Sequence, residues 1–222
     1  MAIKPNEREY RSVPMTAFAT EQRSEGNDDG YMVEGYASTF EPYVLFTLQD
    51  GTEYKEKIDP KAFEDADMSD VIFCKDHQGT VFARTRNNTL SVMADEKGLY
   101  TRTNLSKTAA AREMYEEIKA GMYDQMSFAF IVAEEDYDSA THTRTIKRIG
   151  KVFDVSAVSF PANPDTDISA ISARNYVNGV IDMEKAERLE EQRKAEEQKR
   201  LDAAKARFYY FYALAGGKKN EC

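Results

Sequence analysis

A serine in an apolar, strand-like segment is the first residue of this sequence with the potential for chemistry. Met126, Phe128 and Phe130 fall on one face of that segment and Ser127 on the other, an alternation typical of a β-strand. The hydroxyl either hydrogen-bonds a neighbouring backbone carbonyl or acts as a nucleophile held on a rigid scaffold. Because a serine is unreactive until a base takes its proton, the second interpretation requires a base elsewhere in the chain.

The sequence has two histidines, and they lie in different settings. His77 comes directly after the apolar run 71–75, where it is either a hydrogen-bonded structural residue or a general base suited to neutral pH. His142 lies in the polar run 139–143, which predicts an exposed hairpin loop. We therefore take His77 as the candidate base.

An acid that could orient this base lies in a third apolar segment. Asp154 sits within the strand-like run 152–158. An unpaired buried carboxylate is strongly unfavourable, so Asp154 needs a partner: a lysine, an arginine, backbone N–H groups or an imidazole. Catalytic triads occur in several chain orders, so sequence order does not restrict the choice. The residues offer one set of base, nucleophile and acid, namely His77, Ser127 and Asp154.

Other chemistries find little support. Cys74 and His77 are three residues apart, so on a regular strand they would face opposite sides, which disfavours a cysteine nucleophile. The same pair lacks the second pair of ligands that a zinc site needs, and no glycine-rich phosphate loop is present. We predict no metal and no cofactor. The second cysteine is Cys222, so no disulfide framework is expected, and a reducing cytoplasm is predicted.

The composition limits the classes of protein to which this chain can belong. Its 222 residues are 41% hydrophobic, with 13 Tyr and 12 Phe, enough for one sizeable core. The net charge of −9 disfavours nonspecific binding of nucleic acid. We find no apolar run near the roughly 20 residues that span a bilayer and no signal-peptide pattern, so a membrane partner is not predicted.

The order of segments predicts a domain with two extensions. Residues 1–29 are polar and predict a flexible N-terminal arm. Residues 30–174 contain many short strand-like runs with one or two helices, which predicts an α+β, mainly β domain: a closed or nearly closed β-barrel flanked by helices. One helix, over about 107–120, has Ser106 as its expected cap and Gly121 at its end.

Residues 175–222 predict a linker and a charged helical tail. Acidic and basic residues mix three or four apart over 182–207, as in a long solvated helix. The aromatic run 208–212 follows this helix and either docks on a partner or packs on the chain's own domain.

Three blocks of the sequence, in order, resemble the prohead (capsid maturation) serine protease family of tailed bacteriophages, which is related to herpesvirus assemblin. Residues 71–85 hold His77, 111–130 hold the serine block Met126-Ser127-Phe128-Ala129-Phe130, and 152–164 hold Asp154. The segments Glu34-Gly35-Tyr36-Ala37 and Lys97-Gly98-Leu99-Tyr100 also fit. The likeness covers about residues 30–174, and the order and spacing of the blocks make it specific.

The resemblance implies a serine endopeptidase and assigns roles to the candidate residues. His77 matches the base and Ser127 the nucleophile, while Asp154 matches an acidic position that is more often glutamate. The herpesvirus relatives use a second histidine as the third group, so His142 is the alternative to Asp154. The oxyanion hole would come from backbone N–H groups near Ser127 or near Arg84.

The expected function is cleavage of scaffold and capsid-protein extensions, and of the chain itself, inside the procapsid in the host cytoplasm. Scaffolding protein and major capsid protein would be the substrates, with self-association of the enzyme and the charged tail as a contact to them. The alternative is a noncatalytic scaffolding or head-assembly protein built on the same barrel. The charged tail helix fits that alternative, because scaffolding segments are commonly helical and charged.

Overall fold

Ten β-strands and two α-helices make up the part of the chain that the computed structural model describes, residues 7–14, 30–159 and 168–214. The chain falls into two units, one ending at Val177 and the other beginning at Asn178. No helix in the described ranges has the length and apolarity needed to cross a membrane.

Most of the chain lies in strands, which alternate with short turns. The strands are β1 Arg8–Pro14, β2 Met32–Thr39, β3 Tyr43–Thr47, β4 Glu53–Ile58, β5 Ile72–Lys75, β6 Gln78–Arg84, β7 Leu90–Ala94, β8 Gly98–Asn104, β9 Gln125–Asp138 and β10 Thr143–Val158. The helices are α1 Ala109–Lys119 and α2 Ile168–Leu214. The predicted α+β, mainly β class with a long charged C-terminal helix is confirmed.

Strand β10 is the centre of the larger sheet, which has the order β1-β9-β10-β4-β3, with β5 added on β10 and β6 on β5. It pairs antiparallel with β9 along its whole length, parallel with β4 over residues 143–146 and parallel with β5 over 154–157. The smaller sheet has the order β2-β8-β7. Pairing among the described strands does not return to its start, so the closure of the predicted barrel stays a prediction.

The apolar face of β9 lies in the core, as its alternation predicted. Met126, Phe128 and Phe130 are fully buried, and the last two rings stack with centroids 4.4 Å apart. Apolar residues from both sheets and from α1 join the same core. Burial of this face fixes the register of β9, because a slip of one residue would move the aromatic rings out of the apolar core and bring the Ser127 hydroxyl into it.

Several local predictions need correction. Helix α1 begins two residues later than expected, since Thr108 rather than Ser106 caps it by accepting a hydrogen bond from the Ala111 N–H. Its end is as predicted, with Gly121 at φ 74°. The strand-like run 152–158 is not a strand of its own but the second half of β10, which absorbs register shifts between residues 146 and 154 as bulges and continues.

The N-terminal arm also differs from its prediction. Residues 1–29 were expected to be flexible throughout, but Arg8–Pro14 form β1, which pairs antiparallel with β9 from Ile131 to Gln125. The polar composition concealed this strand because its charged side chains find buried partners of opposite charge. Residues 1–6 and 15–29 of the predicted arm lie outside the described residues.

The second unit is the greater part of α2. Most of its charged side chains are solvent-exposed, although that of Glu184 is only 12% exposed. Ion pairs at the expected spacing occur between Glu184 and Arg188 and between Glu190 and Lys194. The aromatic side chains of 208–212 are each about two-thirds exposed within this unit. Val180, near the start of this unit, is buried; beyond it, helix propensity and pairs three or four residues apart account for the exposed length of the helix.

Candidate active site

His77 is held in place by an unusual hairpin turn. Strands β5 and β6 are joined by a two-residue loop, Asp76-His77, between the paired residues Lys75 and Gln78. Both loop residues have positive φ, 48° and 57°, as in the type I′ turns that suit tight hairpins. The Asp76 N–H donates to the Ala157 carbonyl of β10 at 3.1 Å, which fastens the turn over that strand. Positive φ at two consecutive non-glycine residues is uncommon and is a feature of functional loops.

The other two candidates lie on adjacent strands beneath this turn. Ser127 is in β9 and Asp154 in β10, and the register pairs Ala129 with Asp154 and Ser127 with Ser156. Ser127 is completely buried and Asp154 is 3% exposed. Since both side chains come from the central strands of the sheet, their separation is fixed by backbone hydrogen bonds.

The structure brings the three predicted residues into one hydrogen-bonded chain. His77 Nε2 lies 2.6 Å from Ser127 Oγ, and His77 Nδ1 lies 2.6 Å from Asp154 Oδ1. The side chains of His77 and Asp154 are 6% and 4% exposed. A short serine–imidazole–carboxylate chain of this kind, away from solvent, has the geometry of a nucleophile, a general base and an orienting acid.

The direction of these hydrogen bonds defines what the site can do. An ionised Asp154 accepts from Nδ1–H, which leaves Nε2 with a lone pair toward Ser127. The imidazole can then take the hydroxyl proton as the serine attacks, and Asp154 stabilises the imidazolium that forms.

Ser156 is a member of this cluster that the sequence reasoning missed. Its hydroxyl donates to Asp154 Oδ1 at 2.9 Å, and the backbone N–H of His77 donates to Ser156 Oγ at 3.3 Å. It therefore ties the acid to the turn that carries the base. The available signal was its position two residues after Asp154, which places both side chains on one face of a strand.

Cys74 lies closer to this cluster than its spacing from His77 suggested. Its sulfur is 3.0 Å from Ser156 Oγ, which is itself 3.3 Å from His77 Nδ1. The positive-φ turn brings the two residues to the same side, contrary to the expectation for a regular strand. Burial, together with the charge of Asp154, raises the pKa of the Cys74 thiol to about 11, so it stays protonated and is a poor nucleophile at neutral pH.

Two other predicted candidates lie outside the hydrogen-bonded chain. His142 is in the turn between β9 and β10, with Nδ1 3.1 Å from the Tyr137 hydroxyl and its ring 4.9 Å from that of Tyr54. Asp154, not His142, is therefore the residue at Nδ1 of His77. The Arg84 guanidinium donates to the Asp70 carboxylate at 3.0 and 2.8 Å, and the backbone N–H of Arg84 donates to the Thr89 hydroxyl.

The N-terminal strand contributes the remaining contacts of the site. The Ser127 hydroxyl donates to the Arg11 carbonyl at 3.0 Å. The ring of Tyr10 meets that of His77 edge-on, with centroids 4.7 Å apart. The serine thus makes both contacts that its setting in an apolar strand suggested, one to a backbone carbonyl and one to a base.

A buried serine–imidazole–carboxylate chain on a mainly β scaffold is compatible with a serine peptidase. A family profile described as caudovirus prohead serine protease matches residues 18–179, well over half of the chain. The chain belongs to this family. It is similar to the prohead protease of Enterobacteria phage HK97, with 32% identity over 95 residues, an alignment that covers 42% of this chain and 42% of that protein. No solved structure matches the chain.

Proposed function

We propose that this chain is a serine endopeptidase in which Ser127 is the nucleophile, His77 the general base and Asp154 the orienting acid. The observation that carries the proposal is the continuous chain of contacts from Ser127 Oγ through the imidazole to Asp154 Oδ1, each 2.6 Å long. Membership of a serine protease family supports the same assignment.

The mechanism follows from which atoms face each other. His77 Nε2 takes the proton of Ser127 as Oγ attacks the scissile carbonyl carbon, and then gives it to the leaving amine. A water, deprotonated by the same nitrogen, hydrolyses the resulting ester. Asp154 holds Nδ1 throughout, with Ser156 fixing the carboxylate, so the imidazole needs no reorientation between the two steps.

We further propose that the enzyme acts inside the procapsid, in the host cytoplasm, on scaffold and capsid-protein extensions and on itself. The name of the similar phage protein, a prohead protease, supports this setting. In this proposal the charged helix mediates self-association and contact with those substrates, because its exposed side chains do not pack against a core. The shared apolar core of the two sheets supports a nearly closed barrel as the scaffold.

Co-expression with the phage's capsid and scaffolding proteins tests this proposal. The wild-type chain should shorten its substrates, detected by intact mass, and Ser127→Ala should leave them at full length. Ser91→Ala, at an exposed position of β7, is the matched control and should process normally. Full processing by Ser127→Ala would overturn the assignment.

A noncatalytic scaffolding role is the second candidate, and the exposed charged helix is the observation that favours it. Labelling with a serine-directed fluorophosphonate distinguishes the two functions after assembly with capsid protein. The peptidase should label, and the label should disappear in Ser127→Ala but not in Ser91→Ala. A wild-type chain that never labels after assembly, together with assembly that goes to completion with Ser127→Ala, would favour the scaffolding role.

A further inference from the structure

The nucleophile is covered by a segment of the chain's own N-terminal region. Strand β1 pairs with β9 along its whole length, with Ser12 opposite Ser127 and Arg11 opposite Phe128. Tyr10 lies against His77, and Ser127 is left with no exposed surface. An extended peptide therefore occupies the position from which a substrate would reach the serine.

Strand β1 is an addition to the edge of the sheet and not one of its inner strands. It is the terminal strand of the sheet order, and among the described strands it pairs only with β9. It also precedes the region of the family match, which begins at residue 18. Adding a strand to a sheet edge is a common mode of peptide recognition, in which backbone hydrogen bonds give affinity and side-chain pockets give specificity.

The Arg11 carbonyl is held at the nucleophile but not yet in position for attack. Ser127 Oγ donates to its oxygen at 3.0 Å while also lying 2.6 Å from His77 Nε2, and a hydroxyl has one proton for these two acceptors. Attack requires the carbonyl oxygen to turn away so that Oγ meets the carbon. The structure thus resembles a bound, uncleaved peptide with Arg11 at the reacting position.

The Arg11 side chain lies in a pocket that contains a buried carboxylate. Its guanidinium forms a two-point contact with Glu56, Nε to Oε1 at 2.6 Å and Nη2 to Oε2 at 2.8 Å. Glu56 is fully buried, and the Arg11 side chain is 4% exposed. Planar two-point recognition of this kind is the geometry in which a carboxylate selects a guanidinium.

The walls of this pocket do not depend on β1. Glu56 lies in β4, Arg144 in β10 contacts it at 2.8 Å, and the Tyr43 hydroxyl of β3 also hydrogen-bonds Glu56. Arg144 also binds Glu135, so without β1 two carboxylates face one guanidinium. Strand β1 adds one positive and one negative group, Arg11 and Glu9, so the net charge of the cluster does not change. Arg11 instead gives Glu56 a second guanidinium partner, and Glu9 binds both arginines at 2.7 Å.

On the basis of the proposed function, we infer that the edge of β9 beside Ser127 is the substrate site and that Glu56 selects an arginine or lysine there. The bond between Arg11 and Ser12 is then a site of self-cleavage. In this step Ser127 Oγ transfers its proton to His77 and bonds to the Arg11 carbonyl carbon. The C–N bond breaks, and the Ser12 nitrogen leaves as an amine with that proton. One water then hydrolyses the ester, which yields the Arg11 carboxylate and restores the serine.

The first experiment follows the intact mass and the N-terminus of the purified full-length chain over time, assembled with its capsid partner. Wild type and Arg11→Lys should acquire an N-terminus at Ser12. Arg11→Gln, which keeps a long polar side chain without charge, should form it at least about 100-fold more slowly. Because the bond lies in the same chain as its nucleophile, the rate should not depend on protein concentration.

The second experiment uses substrates in trans, so that no variant of the enzyme needs to fold. A synthetic peptide with the sequence of residues 5–18 is compared with the same peptide carrying glutamine or lysine in place of Arg11. The arginine and lysine peptides should be cut after the basic residue, and the glutamine peptide at least about 100-fold more slowly. Equal cleavage of the three peptides would overturn the selection by Glu56.

Fluorophosphonate labelling of Ser127 separates the failure of this inference from that of the proposed function. If Ser127 labels and capsid substrates are cut, but Arg11–Ser12 stays intact and the peptides are cut regardless of charge, β1 is a permanent structural strand. The inference then fails and the proposed function stands. If Ser127 neither labels nor supports any cleavage, the proposed function fails together with the inference.

Discussion

Two buried polar clusters share the strands β1, β9 and β10, and they are built from different chemistry. The first contains Ser127, His77 and Asp154, with a single carboxylate and an imidazole. The second joins Arg11, Glu56 and Arg144, with Glu9 and Glu135 at its margin. Arg11 belongs to both, through its carbonyl in the first cluster and its guanidinium in the second.

The difference shows which buried polar groups can take part in catalysis. In the first cluster a proton can move between oxygen and nitrogen, because hydroxyl and imidazole have both a donor and an acceptor form. In the second cluster guanidiniums face carboxylates, which have no proton to exchange at neutral pH. Such a network holds strands in register and selects a charge, but it transfers nothing.

Breaking the first cluster should give the largest effect, and it should fall on activity and not on stability. Asp154→Asn keeps the shape of the side chain but removes the charge that holds Nδ1–H of His77. We expect kcat to fall by about 10⁴-fold, because the imidazole is left in the wrong tautomer and its protonated form is no longer stabilised. The rate at which the variant cleaves the synthetic peptide of residues 5–18 checks this prediction.

The control for this variant is the melting temperature of the same preparation, which should change by only a few degrees. Ser156 remains to hydrogen-bond the new amide, so the site keeps its packing. A variant that retains more than a tenth of the wild-type kcat would remove Asp154 from the mechanism.

The two clusters also differ in how well the sequence predicted them. Ser127 and Asp154 were found because a polar residue within an apolar strand is conspicuous, and His77 because it follows one. Glu56 lies in the run Glu53-Tyr54-Lys55-Glu56-Lys57, where alternating charges have the appearance of a solvated strand. Its burial depends on pairing with distant residues, which local patterns do not encode.

Long-range pairing limited the fold prediction in the same way. Apart from β6, the strands from residue 31 to residue 103 were recognised from alternation and turns, and so were α1 and the tail helix. Strand β1 was missed because its alternation places Arg11 and not an apolar residue inside. Strand β6 was missed because its exposed half, from Gln78 to Val81, has no apolar face.

Breaking the second cluster should destabilise the protein without acting directly on the chemical step. Arg144→Met keeps the length of the side chain but leaves Glu9, Glu56 and Glu135 with one partner fewer in a buried site. We expect a loss of about 3–5 kcal/mol, as for removal of one member of a buried ion pair. In a chain of this size that corresponds to a melting temperature lower by roughly 6–20 °C.

Arg148→Met is the matched control, four residues along the same strand. Arg148 pairs with Glu134 at 3.6 Å, and both side chains are about half exposed, so its replacement should cost less than about 1 kcal/mol. Equal destabilisation by the two variants would contradict this prediction, because burial would then not increase the contribution of the Arg144 ion pairs to stability.

Acid should weaken the second cluster and thereby distinguish it from surface ion pairs. Burial raises the pKa of Glu56, but the charges of Arg11 and Arg144 and hydrogen bonds from Arg11 and Tyr43 outweigh burial and lower it from 4.5 to about 2. A carboxylate with a lowered pKa in the folded state stabilises the protein above its unfolded pKa, and this contribution is lost as the pH falls from about 4.5 to about 2. Its full size is about 3 kcal/mol, from a difference of about 2.5 in pKa. Chemical denaturation at several pH values in this range should show a steeper loss of stability in the wild type than in Glu56→Gln, and parallel curves would contradict the prediction.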